Sequence, residues 1–327
     1  MALSNALGPL LSLNPFRADP RIRSRFETLD ASVGAAVRAT IADGLARTRR
    51  DVAANTGGIL LRADVDAIMA AHGISVDELL LLARPTAEGF ARPPISNFHV
   101  GAVGLEAETG NLIFGGNLEF VGGHIGNTVH GEGFVYARAF SRGTSVKTIC
   151  IGEAHPCAHC RQFLSEFAAT QALTLIDPLG HRLTMAELYP WPFDPDYLGE
   201  RGIVAGELRQ PGLALAGNDL PPVAVARLIE LGRRAYVPYG KSPAAILLTL
   251  RDGQTIGGTA IESVSFNPTM SPLQAAMIDL FAHGYAATDI AGAVMATRPG
   301  PVDYAHHARD LLSVIVPGVT LREVAWA

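Results

Sequence analysis

One histidine and two cysteines constrain the fold of this chain more than any other feature of its sequence. Cys157 and Cys160 stand three residues apart at the predicted start of a helix, so their sulfurs project to one side. His130 also lies near a predicted helix start, and a strand-like segment at 146–151 separates the two helices. One imidazole and two thiolates can form a tetrahedral zinc site whose fourth position is open to water. We therefore expect one Zn²⁺ per subunit, held by these three side chains.

Glu132 follows His130 by two residues and can approach a metal-bound water without being a ligand. A carboxylate there can take a proton from the water and pass it to a substrate, which is general acid–base catalysis. Each half of the pattern is weak by itself, since His-x-Glu is usually structural and Cys-x-x-Cys can be a redox pair, a metal site or part of a core. Together, and in this order, they indicate a catalytic zinc centre.

The period of the hydrophobic pattern changes at Pro93. This change separates a helical N-terminal region from a region of alternating strands and helices. Before it, apolar residues recur at spacings of three and four, and Ser75 begins a capping box. After it, strands and helices alternate, which is typical of an α/β layer structure. The predicted elements are strands at 98–106, 112–117, 146–151, 244–250 and 255–261, and helices at 128–140, 157–170 and 272–282. Because a hairpin followed by a helix occurs twice, the pattern suggests an internal duplication.

Charge and cysteine usage exclude several classes of protein. The chain has 26 Lys and Arg residues against 31 Asp and Glu residues, with no block of like charge, so a polyanion-binding face is not expected. Three cysteines are too few for a disulfide framework and favour reduced thiols in the cytoplasm. No apolar run approaches the ~20 residues that span a bilayer, and the first fifteen residues lack the basic leader of a signal peptide. We predict a cytoplasmic protein with no membrane or nucleic-acid partner.

The chain also resembles a known family. His-x-Glu followed by Pro-Cys-x-x-Cys is the signature of the zinc nucleobase deaminases, and over nearly its whole length the sequence resembles the larger, two-domain cytidine deaminases. The matching segments are 94–98, 100–103, 114–120, 128–130, 157–163, 238–239, 241–243, 266–269 and 272–274. The resemblance implies a three-layer α/β/α sandwich, present twice, with an N-terminal helical segment added.

Four regions follow from this resemblance and from the pattern. They are an N-terminal helical segment at 1–92, a catalytic zinc deaminase domain at 93–176, a linker with a lid-like loop at 177–234 and a metal-free deaminase-like domain at 235–327. The family is homodimeric, and its C-terminal domain helps to close the partner's site. No cysteine follows Cys160, so the second domain cannot build the same metal centre.

The resemblance implies hydrolytic deamination of cytidine and 2′-deoxycytidine to uridine and 2′-deoxyuridine by a zinc-activated water, a reaction of pyrimidine salvage. Glu132 would activate the water and protonate ring N3. Asn117 and Glu119 would hold the ribose through its 3′-hydroxyl, Phe98 would pack against the pyrimidine, and the carbonyl of Gly131 would accept from the 4-amino group. From the residues alone, Asn117 could cap the hairpin, Glu119 could be solvated and Phe98 could belong to the core.

Three residues depart from the family pattern. Gly131 stands where alanine is usual, Gly133 replaces a larger polar residue, and His155 stands where a small hydroxyl residue is usual. These departures leave open a deaminase that acts on a modified cytosine nucleoside. A polynucleotide cytosine deaminase is a weaker alternative, because the chain is acidic and the residues that would hold ribose indicate a closed nucleoside pocket. A catalytically dead zinc-binding relative is disfavoured, because all three ligands and Glu132 are present.

Overall fold

Helices fill the N-terminal part of the chain, as the apolar spacing predicts. The computed structural model describes residues 18–152 and 155–327, so residues 1–17 of the predicted helical segment lie outside the described residues. The elements are α1 Pro20–Leu29, a π-helical turn Asp30–Gly34, α2 Ala35–Thr48, α3 Arg62–His72 and α4 Val76–Ala87. α4 begins at the predicted capping box, in which Ser75 and Glu78 each accept from the other's backbone N–H. No helix in the described part of the chain is long and apolar enough to cross a membrane.

The directions of the strands in the first sheet decide where the next two helices begin. The strands are β1 Ile59–Leu60, β2 Gly101–Glu106, β3 Leu112–Gly116, β4 Val146–Ile151, β5 Thr174–Ile176 and β6 Arg182–Thr184, and their order across the sheet is β1-β3-β2-β4-β5-β6. β2 pairs antiparallel with both β3 and β4, so β3 and β4 run in the same direction. The next helices, α5 Gly131–Arg142 and α6 Ala158–Ser165, follow β3 and β4 in the chain and therefore begin at the same end of the sheet.

Helices cover both faces of this sheet and give it three layers. Successive residues of β2 point to opposite faces, so Val103 and Leu105 pack with the N-terminal helices, whereas Ala102 packs with α5. α5 lies very close to the sheet, because a Cβ on Gly115 would come within 2.6 Å of the ring of Phe134. The predicted α/β/α arrangement is confirmed for this sheet.

The segment at 177–234, which the sequence analysis treats as a linker, is divided between its two neighbours. At its start, β6 pairs antiparallel with β5 and completes the first sheet. The helices in it are α7 Met185–Leu188 and α8 Pro222–Arg234. Trp191, in the predicted lid-like loop, is 82% exposed, while Leu228 and Leu231 of α8 pack with the strands that follow. The boundaries proposed for the domains stay predictions.

A four-stranded sheet repeats the arrangement of the first sheet in the C-terminal part of the chain. Its elements are β7 Ala244–Leu250, β8 Thr255–Thr259, α9 Pro272–Ala282, β9 Ile290–Thr297, α10 Tyr304–Ile315 and β10 Leu321–Ala325. The order β8-β7-β9-β10 matches β3-β2-β4-β5, with antiparallel pairs first and a parallel pair last in both sheets. The predicted duplication is therefore confirmed.

The two copies also agree in local detail. Glu119 accepts hydrogen bonds from the backbone N–H groups of two successive residues, and Glu262 does the same in the second copy. Close by in each copy, Asn97 and Lys241 both adopt left-handed backbone, with φ values of 55° and 51°. Non-glycine residues seldom adopt this conformation, so its recurrence at equivalent positions supports a common origin of the two halves.

A buried ion pair joins the two copies where α5 packs against α9. Arg138 is the eighth residue of α5, Asp279 is the eighth residue of α9, and the guanidinium donates to the carboxylate. The two side chains are only 1% and 6% exposed. Although burial acts to raise it, the pKa of Asp279 stays below its ordinary value because Arg138 is charged. This contact ties the helix that carries Glu132 to the second copy.

We predict that Asp279→Asn lowers the free energy of unfolding by about 3–5 kcal/mol, because it removes the carboxylate that is paired with the buried charge of Arg138. The amide has nearly the same size as the carboxylate, so packing changes little. As a matched control, Glu27→Gln removes the exposed i,i+4 pair with Arg23 and should change the free energy by less than about 0.5 kcal/mol. Urea unfolding followed by circular dichroism measures both values, and equal small losses would contradict the assigned role of the pair.

Candidate functional site

The first turns of α5 and α6 carry the three predicted metal ligands. His130 is the N-cap residue of α5, Cys157 is the N-cap residue of α6, and Cys160 lies in the first turn of α6. His130 Nδ1 lies 3.2 Å from Cys160 Sγ and 3.5 Å from Cys157 Sγ. The structure thus brings together the three side chains that the sequence pattern selects.

The three donor atoms fit a zinc ion. They all lie within 4.8 Å of one another. Zn–S bonds of about 2.3 Å and Zn–N bonds of about 2.0–2.1 Å separate sulfur from nitrogen by roughly 3.6 Å on a tetrahedral ion. The observed sulfur–nitrogen distances are close to that value. Two thiolates and one imidazole are a common donor set for zinc, and three protein ligands leave a fourth position for water or substrate.

Hydrogen bonds among the three ligand side chains already favour the thiolate form of Cys157. The pKa of Cys157 is lowered to about 3, chiefly because Cys160 and His130 donate to its sulfur. The pKa of Cys160 is raised, because its proton is the one that bridges the sulfurs and because the group is buried. A metal ion would replace this shared proton, since the thiolate is the form of cysteine that binds zinc.

Glu132 lies in the first turn of α5 and is buried beside the ligands. Only 4% of the residue is exposed. Burial raises the pKa of its carboxyl group above the ordinary value, and His130 and Cys160 are close enough to oppose that shift. The carboxylate is not part of the group of three donors. The position of the carboxylate therefore suits proton exchange with a water or substrate at the fourth zinc position, and the carboxylate would not itself bind the metal.

The chain beyond β3 holds Asn117 beside the start of α5. Leu118 exchanges two backbone hydrogen bonds with Val129, the residue just before the ligand histidine. The buried side chain of Asn117 accepts from the N–H of Val100 at 3.0 Å and donates to the carbonyl of Phe98 at 2.8 Å. Asn117 therefore fixes the loop that presents Phe98, in addition to any contact that it makes with a substrate.

Phe98 lies in this loop, and Gly131, at the start of α5, lies next to it. The Phe98 residue is 60% exposed, which excludes the core position that composition alone suggests. A Cβ on Gly131 would lie 3.3 Å from the Cβ of Ala102 and 3.5 Å from the carbonyl oxygen of Val100. An alanine at position 131 would therefore fit only if its neighbours moved by a few tenths of an ångström. The helix start is thus connected through Val100 and Asn117 to the backbone of Phe98.

Protein groups already bind the carboxylate of Glu119, which follows Asn117 by two residues. It accepts from the backbone N–H groups of Ile95 and Ser96 at 2.8 and 2.9 Å and also from the hydroxyl of Ser96. These bonds lower the pKa of Glu119 even though burial acts to raise it. Glu119 also lines an open groove with Arg92 and Phe281. The structure therefore places it at a loop anchor.

The candidate site is open in a single chain. The cavity that adjoins His130 and Cys160 has a volume of only about 20 Å³, whereas pockets for small molecules usually have about 300–1,000 Å³. Cys157 is exposed, and so are the apolar side chains of Phe98, in the loop that Asn117 holds, and of Ile125, five residues before His130. One protomer therefore provides the ligands and the carboxylate without enclosing a nucleoside.

A second group of side chains with metal-ligand chemistry lies close to α6 and was not predicted as a site. His155, two residues before Cys157, and His181 both contact the carboxylate of Asp177. In the sequence, His155 stands out only as a departure from the family pattern. Asp177 and His181 fall at the start of the predicted linker. The only sequence feature that could have predicted their proximity is the Pro-Leu-Gly turn between them, which returns the chain toward β5.

Several solved structures that are similar to this chain are cytidine deaminases. The enzyme from Mycobacterium leprae is 27% identical, with 36% of this chain and 100% of that chain covered and a TM-score of 0.32. The enzyme from Mycobacterium tuberculosis is 27% identical, with 37% and 98% covered and a TM-score of 0.33. The enzyme from Burkholderia pseudomallei is 17% identical, with 33% and 92% covered and a TM-score of 0.29.

Family models match the chain in both copies. Models of the cytidine and deoxycytidylate deaminase zinc-binding region match residues 75–175 and residues 190–309. Together these matches cover well over half of the sequence. The first contains His130, Glu132, Cys157 and Cys160, so the zinc cofactor expected from the sequence agrees with both the family and the donor geometry. The chain therefore belongs to the zinc-binding cytidine and deoxycytidylate deaminase family.

Proposed function

We propose that this protein catalyses the hydrolytic deamination of free cytidine and 2′-deoxycytidine at the centre formed by His130, Cys157 and Cys160, with Glu132 as the proton carrier. The observation that carries the proposal is the buried carboxylate of Glu132 beside the three converging donors. A purely structural zinc site needs no such group, since its ligands are usually four in number and closed to water.

Glu132 has two proton transfers to perform in this reaction. When bound, zinc supplies a Lewis acid that makes water a nucleophile near neutral pH. Glu132 takes a proton from the attacking water and delivers it to ring N3 as the new C–O bond forms at C4. It then carries the second proton from the C4 hydroxyl to the 4-amino group, the C4–N bond breaks, and ammonia leaves to give the uridine product.

The remaining predicted residues would position the nucleoside. We assign Phe98 to packing against the pyrimidine, the carbonyl of Gly131 to the 4-amino group, and Asn117 and Glu119 to the ribose 3′-hydroxyl. Support comes from the contacts that join Gly131, Val100 and Asn117, because they hold these groups in a fixed relation to the ligands. The loop bonds of Asn117 and Glu119 would preorganise their oxygens before a sugar binds.

We also propose a homodimer in the cytoplasm, in which the C-terminal domain of one chain closes the site of its partner. The support is the open site together with the exposed apolar side chains of Phe98 and Ile125. Exposed apolar patches of this kind commonly mark interaction surfaces.

Sedimentation equilibrium should therefore give twice the mass of one chain, and specific activity should fall on dilution. A monomer with full activity would contradict the dimer.

We predict that Glu132→Gln keeps zinc bound but lowers kcat for cytidine by at least about 10²–10⁴-fold, because the amide cannot accept and return a proton. The control is Glu230→Gln, which alters an exposed carboxylate on α8 and should leave kcat unchanged. Ultraviolet absorbance follows the conversion of cytidine and 2′-deoxycytidine, with zinc content measured on the same samples.

The same assay includes deoxycytidylate, 5-methylcytidine and a single-stranded oligonucleotide as competing substrates. Rapid turnover of the free nucleosides alone is the expected result. Turnover only of a modified nucleoside, the nucleotide or the oligonucleotide would contradict the proposed substrate, and unchanged kcat in Glu132→Gln would contradict the assigned role of that residue.

We predict that the ribose contacts can be separated from loop anchoring by pairing variants with substrates. The wild-type protein should use 3′-deoxycytidine roughly 10–100-fold less efficiently in kcat/KM than cytidine, which corresponds to a hydrogen bond to a charged group. Asn117→Ala and Glu119→Gln should lower kcat/KM for cytidine and shrink this difference between the two substrates. If both variants are impaired yet keep the full difference, the two residues only anchor the loop.

A further inference from the structure

Three side chains from two segments of the chain converge beyond the end of β5. His155 comes from the segment between β4 and α6, Asp177 follows β5, and His181 precedes β6. His155 Nε2 lies 3.0 Å and His181 Nδ1 lies 2.7 Å from Oδ2 of Asp177, and the three donor atoms lie within 4.8 Å of one another. Donors bound to one zinc ion at normal bond lengths lie roughly 3–3.5 Å apart. Small movements would let all three bind one ion.

The carboxylate of Asp177 needs a positive partner. Its side chain is 0% exposed. In the described part of the chain, the only basic side chains within salt-bridge distance of it are the two histidines, and neither carries a permanent charge as Arg or Lys would. An ionised carboxylate that is removed from water is stable only when it is paired or bound to a metal. A divalent cation would supply the charge and would use both imidazoles in their neutral form.

A backbone hydrogen bond and the exposure of His155 favour binding of such an ion by the three side chains. The backbone N–H of His181 donates to Oδ1 of Asp177 at 3.0 Å, so that Oδ2 is the oxygen that faces the two imidazoles. The side chain of His155 is 36% exposed, which gives an ion a path of entry and allows water to complete its coordination. Two imidazoles and one carboxylate suit first-row transition ions, whereas Ca²⁺ and Mg²⁺ prefer oxygen donors.

We propose that His155, Asp177 and His181 form a second zinc site that is separate from the thiolate centre. An ion there would cross-link the segment that carries Cys157 to the turn between β5 and β6. This site would not take part in the deamination itself. It would hold the segment from which one ligand of the catalytic centre extends, and it does not depend on the substrate proposed for that centre.

The first test counts zinc on the full-length protein. The protein is equilibrated with excess Zn²⁺, freed of unbound metal by gel filtration, and assayed by mass spectrometry for metal per chain. We expect two equivalents for the wild-type protein and one for Asp177→Asn, which has nearly the same size but no charge. The matched control is His306→Ala, which alters an exposed histidine of α10 outside both groups and should keep two equivalents.

The second test separates the two sites without any substitution. Co²⁺ bound by thiolates absorbs strongly by charge transfer, whereas Co²⁺ bound by imidazole and carboxylate shows only weak visible bands. Titration of the metal-free wild-type protein should saturate the thiolate band at one equivalent and the weak bands at two. Asp177→Asn should retain the thiolate band and lose the second phase.

Two results would overturn the proposal. One is a wild-type protein that holds a single zinc ion and shows a single cobalt phase, because the three side chains would then form only a hydrogen-bonded cluster. The other is a second equivalent that Asp177→Asn leaves in place, because the ion would then bind elsewhere. Loss of the thiolate band with the second phase intact would count against the catalytic centre and not against this site.

Discussion

The common direction of β3 and β4 is the constraint on which the candidate site depends. β2 lies between them and pairs antiparallel with both, so the helices that follow the two strands start at the same end of the sheet. His130 and Cys157 are the residues at those starts, and Cys160 is one turn further along the second helix. The free N–H groups of both helix ends favour negative charge there, which stabilises thiolates and a charged reaction centre.

The second copy shows what the fold does without these ligands. At the start of α9, the N-cap residue is Ser271, whose hydroxyl accepts from the N–H of Gln274, and the buried Leu273 stands where the first copy has Glu132. The same helix end is thus satisfied by a capping box instead of lying beside a metal ligand. The Arg138–Asp279 pair then joins this copy to the helix that carries Glu132. The second copy therefore supports the first structurally and repeats only its fold.

The parts of the fold set by local pattern could be predicted, and the parts set by distant contacts could not. The strand at 146–151 and the helix at 272–282 agree with their predicted bounds. α5 begins three residues later than predicted because Val129 stays extended to pair with Leu118. The thiolate centre could be predicted because its ligands share two short motifs at helix starts. The cluster around Asp177 could not, because His155 reaches it only through the parallel pairing of β4 with β5.

Anomalous diffraction at the zinc absorption edge, from crystals of the full chain grown with zinc, tests the central claim most directly. We predict a strong peak bonded to His130 Nδ1 and to the sulfurs of Cys157 and Cys160, with the carboxylate of Glu132 beside the ion but not bonded to it. No peak between these three atoms, or a Glu132 side chain that points away from the ion, would contradict the account.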